Sequence, residues 1–278
     1  MLGLTLTVAS VVVAVLAPLL VRFDPFAFAA PPLLPPSVEH PMGTDAIGRD
    51  VMSGVLHGAR ASLLVASGAA ALAGLVGTIV GTVSGYAGGI ADDLLMRLTE
   101  LFQTIPRFFL VVVVLALFGP GLDRVVLMLG LTAWPTLARV VRGETLALLD
   151  LEFMVAARAS GASPMRIMLR HVLPNTLNSV GVLLGLLFGQ ALLVEASVGF
   201  LGLSNPDVMS WGSLARNAQG YTRVAWWLSL FPGLAIASAV LGVNLLADAL
   251  SAASAAPSTI DNRADAMRSA RTLARPGV

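Results

Sequence analysis

Long apolar runs separated by polar segments are the main feature along this sequence. The first run, residues 2–21, is long enough to cross about 30 Å of hydrocarbon. Ala27-Phe28-Ala29 could serve as a signal-peptide cleavage site, but the run lacks a basic start and is long for a signal peptide. We therefore predict a first transmembrane helix at residues 1–21. Further apolar runs predict helices at residues 61–85, 92–118, 122–142, 176–199 and 224–250.

The second predicted helix is rich in small residues. Gly, Ala, Ser and Thr fill much of residues 61–85. Because lipid tails are as apolar as leucine, helices associate in a membrane through close packing, which small residues allow. We expect this helix to form the packing core of the subunit.

The third predicted helix begins with polar residues. Its apolar part, residues 108–118, is too short to span a membrane alone, so we start the helix near Asp92. Its polar half is then expected to face the protein interior or a water-filled path. Pro106 is expected to kink this helix, and Pro135 to kink the fourth.

Three polar side chains in the predicted spans are candidates for a translocation path: Arg107, Gln190 and Glu195. A charged side chain at the bilayer centre costs at least about 2.5 kcal/mol on insertion scales. Arg107 could instead extend to the membrane interface or pair with a carboxylate. Glu195, near the end of the fifth helix, could be an interfacial carboxylate. The sequence leaves these alternatives open.

A polar, arginine-bearing segment at residues 150–174 interrupts the apolar pattern. We predict a hairpin of two short helices there. Gly161 supplies the turn after the first helix, Ser163 caps the second helix, and Pro164 occupies its first position. Pro174 is expected to close the second helix, because proline disfavours helical geometry in the residue before it.

The hairpin has a charged side and an apolar side. Glu152, Arg158 and Arg166 keep the segment out of lipid, whereas residues such as Phe153 and Ile167 make its other side apolar. An exposed helix pair of this kind indicates either a surface that docks against a partner or an amphipathic hairpin that rests on the membrane.

Three further segments are predicted outside the helices. The proline-rich residues 22–59 predict an ordered external lobe, residues 200–223 a second external loop, and residues 251–278 a mobile basic tail. Residues 60–250 then form a five-helix core that contains the hairpin. Within the lobe we predict a turn in which Asp side chains bond the backbone. Its residues are Gly43, Thr44, Asp45, Gly48, Arg49 and Asp50.

The amino-acid composition indicates which class of protein this is. The 278 residues are 56% hydrophobic and 12% charged, with a mean hydropathy of +0.85, whereas soluble domains average about 25% charged residues. These values predict an integral membrane protein. A net charge of +1 gives no indication of nucleic-acid binding, and the lack of cysteine excludes disulfides and thiolate sites. The spacing of His40, His57 and His171 predicts no metal site.

The hairpin resembles the EAA loop of ABC importer permeases, in which the loop is the coupling helix that lies in a groove of a separate ATPase subunit. The resemblance rests on Ala156-Ala157-x-x-x-Gly161 and on the closing Leu173-Pro174. Val155 stands where the family has glutamate, so no specific salt bridge to the ATPase is implied. His171 replaces an isoleucine, as in the peptide-importer branch. The resemblance assigns coupling to Ala156, Ala157, Arg158, Gly161, Ala162, Ser163, Arg166, His171, Leu173 and Pro174.

Two external stretches resemble the dipeptide, oligopeptide and nickel importer permeases of that family. The first is Met42-Gly43-Thr44-Asp45-x-x-Gly48-Arg49-Asp50, followed by Gly58-Ala59-Arg60-Ala61-Ser62. The second is Phe200-Leu201-Gly202-Leu203 with Ser210-Trp211-Gly212, in which Ser204 replaces a glycine. Together with the hairpin they extend the resemblance over roughly residues 43–248.

The resemblance implies an all-α membrane protein with six transmembrane helices and a cytoplasmic coupling hairpin, similar to the permease of a type I ABC importer. The implied partners are a homologous second permease subunit, two ABC ATPase subunits, an extracytoplasmic solute-binding protein and the lipid bilayer, with no nucleic acid. Peptides or a related small solute would cross by alternating access. The alternatives are a permease for nickel or another metal chelate, or a self-sufficient secondary transporter, which would need paired midplane charges and an inverted repeat.

Catalysis is not expected of this chain. The sequence has no GxxxxGK[ST] phosphate loop, no lysine at all, and no Ser, His and acid grouping suited to hydrolysis. ATP and Mg²⁺ would therefore be bound by the partner ATPase subunits. Six helices place both termini on one side with the hairpin arginines, and the positive-inside rule assigns that side to the cytoplasm of a bacterial inner membrane.

Overall fold

Helices make up most of the chain. The structure, a computed structural model, describes residues 1–273, with side chains described through residue 253. Between helices, the described part of the chain contains one isolated antiparallel bridge, Thr44 to Asp50. A π-helical turn (Met168–Val172) joins α7 to α8. The helices are α1 (Leu2–Leu20), α2 (Val51–Ala87), α3 (Gly89–Thr104), α4 (Arg107–Phe118), α5 (Leu122–Leu149), α6 (Glu152–Ala159), α7 (Pro164–Ile167), α8 (Leu173–Phe200), α9 (Trp211–Asn217) and α10 (Trp227–Leu273).

Five of the described helical segments are long and apolar enough to cross a membrane, and α3 and α4 form a further pair bent by 73°. Counting that pair as one span gives the six predicted transmembrane helices. Pro106 breaks the third predicted helix in two rather than kinking it. Ile105 is extended (φ −89°, ψ 128°), as expected for a residue before proline. Pro135 lies inside α5, and the kink predicted there stays a prediction.

The central helix α2 packs along α5 through a row of glycines. A Cβ atom added to Gly77 would lie 2.8 Å from the carbonyl oxygen of Trp134, and one added to Gly81 would lie 2.5 Å from that of Ala138. Residues four apart share a helix face, and glycines on that face let the two backbones approach closely. The packing core predicted for the second helix is confirmed.

Helix α2 begins earlier than predicted. It starts at Val51 rather than at residue 61, so the external lobe ends at Asp50 rather than at residue 59. The Asp50 carboxylate accepts a hydrogen bond from the N–H of Ser53 at 2.7 Å, which caps the helix ahead of the apolar run. The fourth predicted helix likewise continues past residue 142, as α5 ends at Leu149.

The second arm of the hairpin does not end at Pro174, and that prediction is wrong. Helix α7, the π-helical turn and α8 form one apolar span, residues Pro164–Phe200. Pro174 lies in the first turn of α8, two residues after the end of the π-helical turn. The wider i→i+5 bonding there accommodates a residue that has no N–H to donate. The hairpin is therefore one short helix, α6, followed by the first turns of a long one.

The start of α1 lies at the hairpin end of the bundle. A Cβ atom added to Gly3 would lie 2.7 Å from the Cβ of Leu245, and one added to Gly185 on α8 would lie 3.0 Å from the Cβ of Ala247. Residues 245–247 of α10 therefore lie beside both the first residues of α1 and the first half of α8. We call this side of the molecule the hairpin end and the opposite side the lobe end.

The segment predicted as a mobile basic tail, residues 251–278, is helical through Leu273, the last residue that the structure describes. Alanines are frequent just after Leu250, and alanine has the highest helix propensity, so the sixth spanning helix continues without a break. The last five positions of that predicted tail, residues 274–278, lie outside the described residues.

Candidate functional site

Backbone caps build the turn of the hairpin. Gly161 adopts a left-handed conformation (φ 76°) directly after the C-cap of α6. Its N–H donates to the carbonyl of Arg158 at 3.0 Å, and the N–H of Ala162 donates to that of Ala157 at 3.1 Å, which is the Schellman pattern. The Ser163 hydroxyl then accepts a hydrogen bond from the backbone three residues on and caps α7. The predicted glycine turn and serine cap are confirmed.

A small apolar cluster anchors the hairpin to the bundle. Met154 of α6, Ile167 of α7 and Val172 of the π-helical turn are fully buried. Burial of such a side chain stabilises a fold by about 1.5–3 kcal/mol, so the hairpin is held in a defined position. The residues packed against the cluster are Tyr86, Leu148, Leu149 and Ala162.

The side of α6 opposite Met154 is exposed. Helical geometry places Glu152, Val155, Ala156 and Ala159 on that side, and all four are exposed. Val155 is 56% exposed. Apart from Glu152 this face consists of small or apolar side chains that contact nothing in the chain's own core. We call these four residues the exposed face of α6.

The residues to which coupling was assigned differ in burial. Among them, the Arg158 guanidinium lies over the Tyr86 ring, with Cζ 6.0 Å from its centroid, and the His171 and Phe153 ring centroids are 6.2 Å apart. These contacts tie both arms of the hairpin together and to α2. Half-buried members are Ala157, Ala162, His171 and Leu173. Exposed members are Ala156, Arg158, Gly161, Ser163, Arg166 and Pro174.

Acidic side chains fold the external lobe. Asp45 Oδ1 accepts hydrogen bonds from the N–H groups of Ile47 at 2.9 Å and Arg49 at 2.8 Å. Asp50 Oδ1 lies 2.8 Å from Nδ1 of His40. The predicted turn, in which Asp side chains bond the backbone, is confirmed. His40 is therefore part of the hydrogen-bond network of the lobe. The described residues contain no group of three or more His, Asp or Glu that could hold a metal ion.

The lobe is fastened to the start of α10. The Thr44 hydroxyl donates to the carbonyl of Pro31 at 2.8 Å and accepts from the N–H of Leu34 at 2.9 Å. The indole N–H of Trp227 donates to the Thr44 carbonyl at 3.2 Å, and a Cβ atom on Gly43 would lie 2.7 Å from the same indole nitrogen. These contacts give the lobe residues a structural role, because they hold the lobe together and fasten it to α10. Arg49 is half-buried, whereas these are buried: Gly43, Thr44, Asp45, Gly48 and Asp50.

The structure brings two of the three candidate path residues together. Arg107 Nη1 on α4 donates to Oε1 of Gln190 on α8 at 3.2 Å. The partner of Arg107 is thus a neutral amide, and among the described side chains it forms no ion pair. Gln190 is exposed on a face of α8 that also carries Leu186, Leu193 and Ser197, all exposed.

Glu195 lies elsewhere. It is buried rather than exposed at an interface, and its carboxylate accepts a hydrogen bond from Ser62 of α2 at 2.9 Å. The Ser62 oxygen in turn accepts from the N–H of Trp211 at 3.2 Å, and the Trp211 indole donates to the Val55 carbonyl at 2.9 Å. Glu195 therefore joins α8 to α2 and α9, away from the exposed face that carries Gln190.

One charged pair was missed by sequence reasoning. Asp92 of α3 forms an ion pair with Arg142 of α5, and Ser84 of α2 donates a hydrogen bond to the same carboxylate. Asp92 and Arg142 are 50 positions apart in the sequence, and the only available signal was that both are charged residues at the edges of apolar runs. The pair fixes α3 at the hairpin end.

Comparison with known proteins gives matches in sequence and in fold. Residues 77–256 match the family model described as binding-protein-dependent transport system inner membrane component. The chain is 39% identical over 216 residues to a glutathione transport system permease protein of Escherichia coli strain 536, covering 77% of this chain and 71% of that relative. It is 32% identical over 255 residues to the oligopeptide transport system permease protein OppC of Bacillus subtilis strain 168, covering 90% and 83%.

A solved structure of similar fold is the MetNI methionine ABC transporter in inward-facing conformations. The TM-score is 0.55 and the sequence identity 20%, and the match covers 72% of this chain and 97% of that chain. At this identity the likeness concerns the fold alone. It includes most of the helical bundle described above.

Proposed function

The chain belongs to the family of binding-protein-dependent transport system inner membrane components, and we propose that it forms one half of the solute path of an ATP-driven importer. It is a multi-pass, all-α permease subunit with the fold of an ABC importer permease. In the proposed mechanism, a second permease supplies the other half of the path, and alternating access exposes the solute first to one side and then to the other.

The exposed face of α6 is the observation that carries this proposal. A short helix is anchored from one side by buried Met154 and presents Val155, Ala156 and Ala159 on the other. Small side chains let a partner approach the helix backbone closely, and an apolar surface outside the chain's own core is typical of an interaction site. We propose that a groove of an ATPase subunit receives this face.

Rigid anchoring is what makes such a contact useful for coupling. The hairpin is continuous with α8 through α7 and the π-helical turn, and it also contacts the ends of α2 and α5. Closure of two ATPase subunits on ATP would therefore displace helices, rather than a loose loop. Interfaces between packed helices switch between discrete arrangements, and that switch is the proposed conversion of ATP hydrolysis into opening of the path.

The orientation of the chain in the membrane follows from the proposed contact between α6 and the ATPase. ATP is available in the cytoplasm, so the hairpin end is proposed to be cytoplasmic, together with the start of α1. The lobe end, with the external lobe and α9, would then face the extracytoplasmic solute-binding protein. ATP and Mg²⁺ are assigned to the partner ATPase subunits.

The path is proposed to run along the exposed face of α8. Gln190 lies on that face, and its contact with Arg107 adds a positive charge beside it. Polar and charged groups within a span are costly unless they face protein or water, so this face is suited to a partner permease and a solute channel. We propose peptides or related small solutes as cargo, which is supported by the oligopeptide and glutathione transport named for the relatives.

Co-purification tests the proposal. Ala159 lies on the exposed face of α6, and Ala91 is also an exposed alanine, on α3 near the hairpin end. The chain is expressed with the proposed second permease and ATPase subunits, and the retained ATPase is quantified. Ala159→Trp is expected to lower ATPase retention at least about tenfold, since a large side chain would hold the surfaces apart, whereas Ala91→Trp leaves it unchanged.

Two results would contradict the proposal. One is ATPase retention that is equal in Ala159→Trp and the unmodified chain while both are folded and in the membrane. The other is solute uptake that continues after complete depletion of ATP, which would indicate a self-sufficient secondary transporter instead.

A further inference from the structure

A pocket at the lobe end contains two arginine side chains. Its volume is about 400 Å³, and it lies between the external lobe, the turn that joins α4 to α5, and the loop that follows α8. Arg49 comes from the lobe and Arg216 from α9, so two separate elements supply the charge. The other polar lining residues are Ser204, Asn205, Ser213 and Asn217.

The two guanidinium groups have no carboxylate partner in the pocket. Neither forms an ion pair with any side chain that the structure describes. Arg49 Cζ lies 5.9 Å from the centroid of the Phe26 ring, and Arg216 lies against Gly202. Acidic residues on the surrounding elements do not line the pocket; they are Asp24, Glu39, Asp45, Asp50, Asp123, Glu195 and Asp207.

The surroundings fix the backbone at Arg49 and the position of the Arg216 side chain. The N–H of Arg49 donates to the Asp45 carboxylate at 2.8 Å, which fixes the backbone of the lobe at that point. Gly202 is in a left-handed conformation (φ 82°), and a Cβ atom there would collide with the Arg216 guanidinium. The glycine thus provides the space in which Arg216 lies, and both arginines line the pocket.

We propose that this pocket binds a carboxylate group at the outer surface of the transporter. A guanidinium presents planar pairs of N–H donors that match a carboxylate, and the hydroxyl and amide groups of the lining supply further hydrogen bonds. Under the proposed function, on which the orientation rests, the carboxylate comes either from an acidic side chain of the docked solute-binding protein or from the C-terminus of a peptide solute.

The test uses the purified transporter in lipid nanodiscs and two pairs of peptides. Acetyl-Ala-Glu-Ala-amide against acetyl-Ala-Gln-Ala-amide probes a side-chain carboxylate, and Ala-Ala-Ala against its C-terminal amide probes a terminal one. Charge-assisted hydrogen bonds are expected to make the acid of at least one pair bind about tenfold more tightly than its amide. Preference within the first pair assigns the site to a docked protein, and preference within the second assigns it to the solute.

Charge variants connect the preference to the pocket. Arg49→Gln and Arg216→Gln are expected to remove the preference for the acid, whereas Arg216→Lys retains part of it. Arg223→Gln is the matched control, since Arg223 is an exposed arginine of the same loop region that does not line the pocket. Equal binding of acid and amide in both pairs would overturn the proposal, as would a preference that survives both substitutions together. ATPase retention measured on the same preparation distinguishes this failure from a failure of the proposed function.

Discussion

The guanidinium of Arg142 on α5 donates two hydrogen bonds to the carboxylate of Asp92 on α3. Its Nε donates to Oδ1 at 2.6 Å and its Nη2 to Oδ2 at 2.5 Å. Ser84 of α2 donates to the same carboxylate, so three helices meet at one ion pair near the hairpin. This two-point geometry is the strongest form of a guanidinium–carboxylate contact.

Removing the Asp92 charge is expected to destabilise the subunit. The pair is partly exposed, with side-chain exposures of 33% for Arg142 and 12% for Asp92, so solvent screening lowers the loss to about 1–2 kcal/mol. Thermal unfolding of Asp92→Asn and Arg142→Gln in detergent measures it. Asp93→Asn, which changes an exposed neighbour, is the control, and equal destabilisation by that control would contradict the assignment.

The glycine row between α2 and α5 predicts a second stability effect. Gly81→Ala places a methyl group against the Ala138 carbonyl, which is backbone and cannot move aside, so we expect a loss of about 1–3 kcal/mol. Gly143→Ala on α5 meets nothing within 4 Å and should be neutral or slightly stabilising, because alanine favours helix. Melting temperatures of the two variants compare them directly. A Gly81→Ala protein as stable as the original would show that the helices are not in close contact.

Because Asp50 caps α2, we expect it to contribute more to the stability of the lobe than the other acidic residues there. Asp50→Ala removes the acceptor for Ser53 and the partner of His40, and a lost cap costs about 0.5–2 kcal/mol. Limited proteolysis of the lobe measures its loosening. Asp24→Ala serves as the control, since the Asp24 carboxylate is exposed and accepts a single described bond, from the N–H of Phe26. Faster cleavage of the Asp24 variant would contradict the prediction.

The proposed path predicts a pattern of chemical accessibility. The natural sequence contains no cysteine, so single cysteines can be labelled without background. Gln190→Cys, on the exposed face of α8, is expected to react with a water-soluble thiol reagent at a rate that changes when ATP is added. Leu192→Cys, at a fully buried position, should react slowly in both conditions. Equal and ATP-independent rates would exclude a water-filled path along this face.

Sequence reasoning identified the spanning helices because the bilayer requires long apolar runs, which composition reveals directly. It misplaced the start of α2 because the cap at Asp50 starts the helix at Val51, ten residues before the apolar run that begins at residue 61. At Pro174 the error was the opposite one, since a helix end was predicted where the helix continues. Proline usually ends a helix, but the π-helical turn before it allows α8 to continue, and nothing local in the sequence indicates that turn.

In the candidate site, too, the local features could be predicted from the sequence, whereas the contacts between helices could not. Gly161 and Ser163 have strong local preferences, so the turn and cap of the hairpin could be predicted. The contacts between Arg107 and Gln190, and between Asp92 and Arg142, join residues 83 and 50 positions apart. Such contacts depend on how the helices pack, and a single sequence carries no signal for the pairing.

The central claim is that α6 meets an ATPase on the cytoplasmic side, and matched valines test it most directly. Val155 is 56% exposed on α6, and Val38 is 96% exposed in the external lobe. With single cysteines at these positions and the ATPase subunits removed, a membrane-impermeant maleimide should label Val155→Cys only in inside-out vesicles and Val38→Cys only in right-side-out vesicles. In the assembled transporter, a short photoactivatable cross-linker attached to the cysteine through a maleimide should join Val155→Cys alone to an ATPase subunit. Labelling of Val155→Cys from the outside, or the absence of any ATPase adduct, would contradict the account.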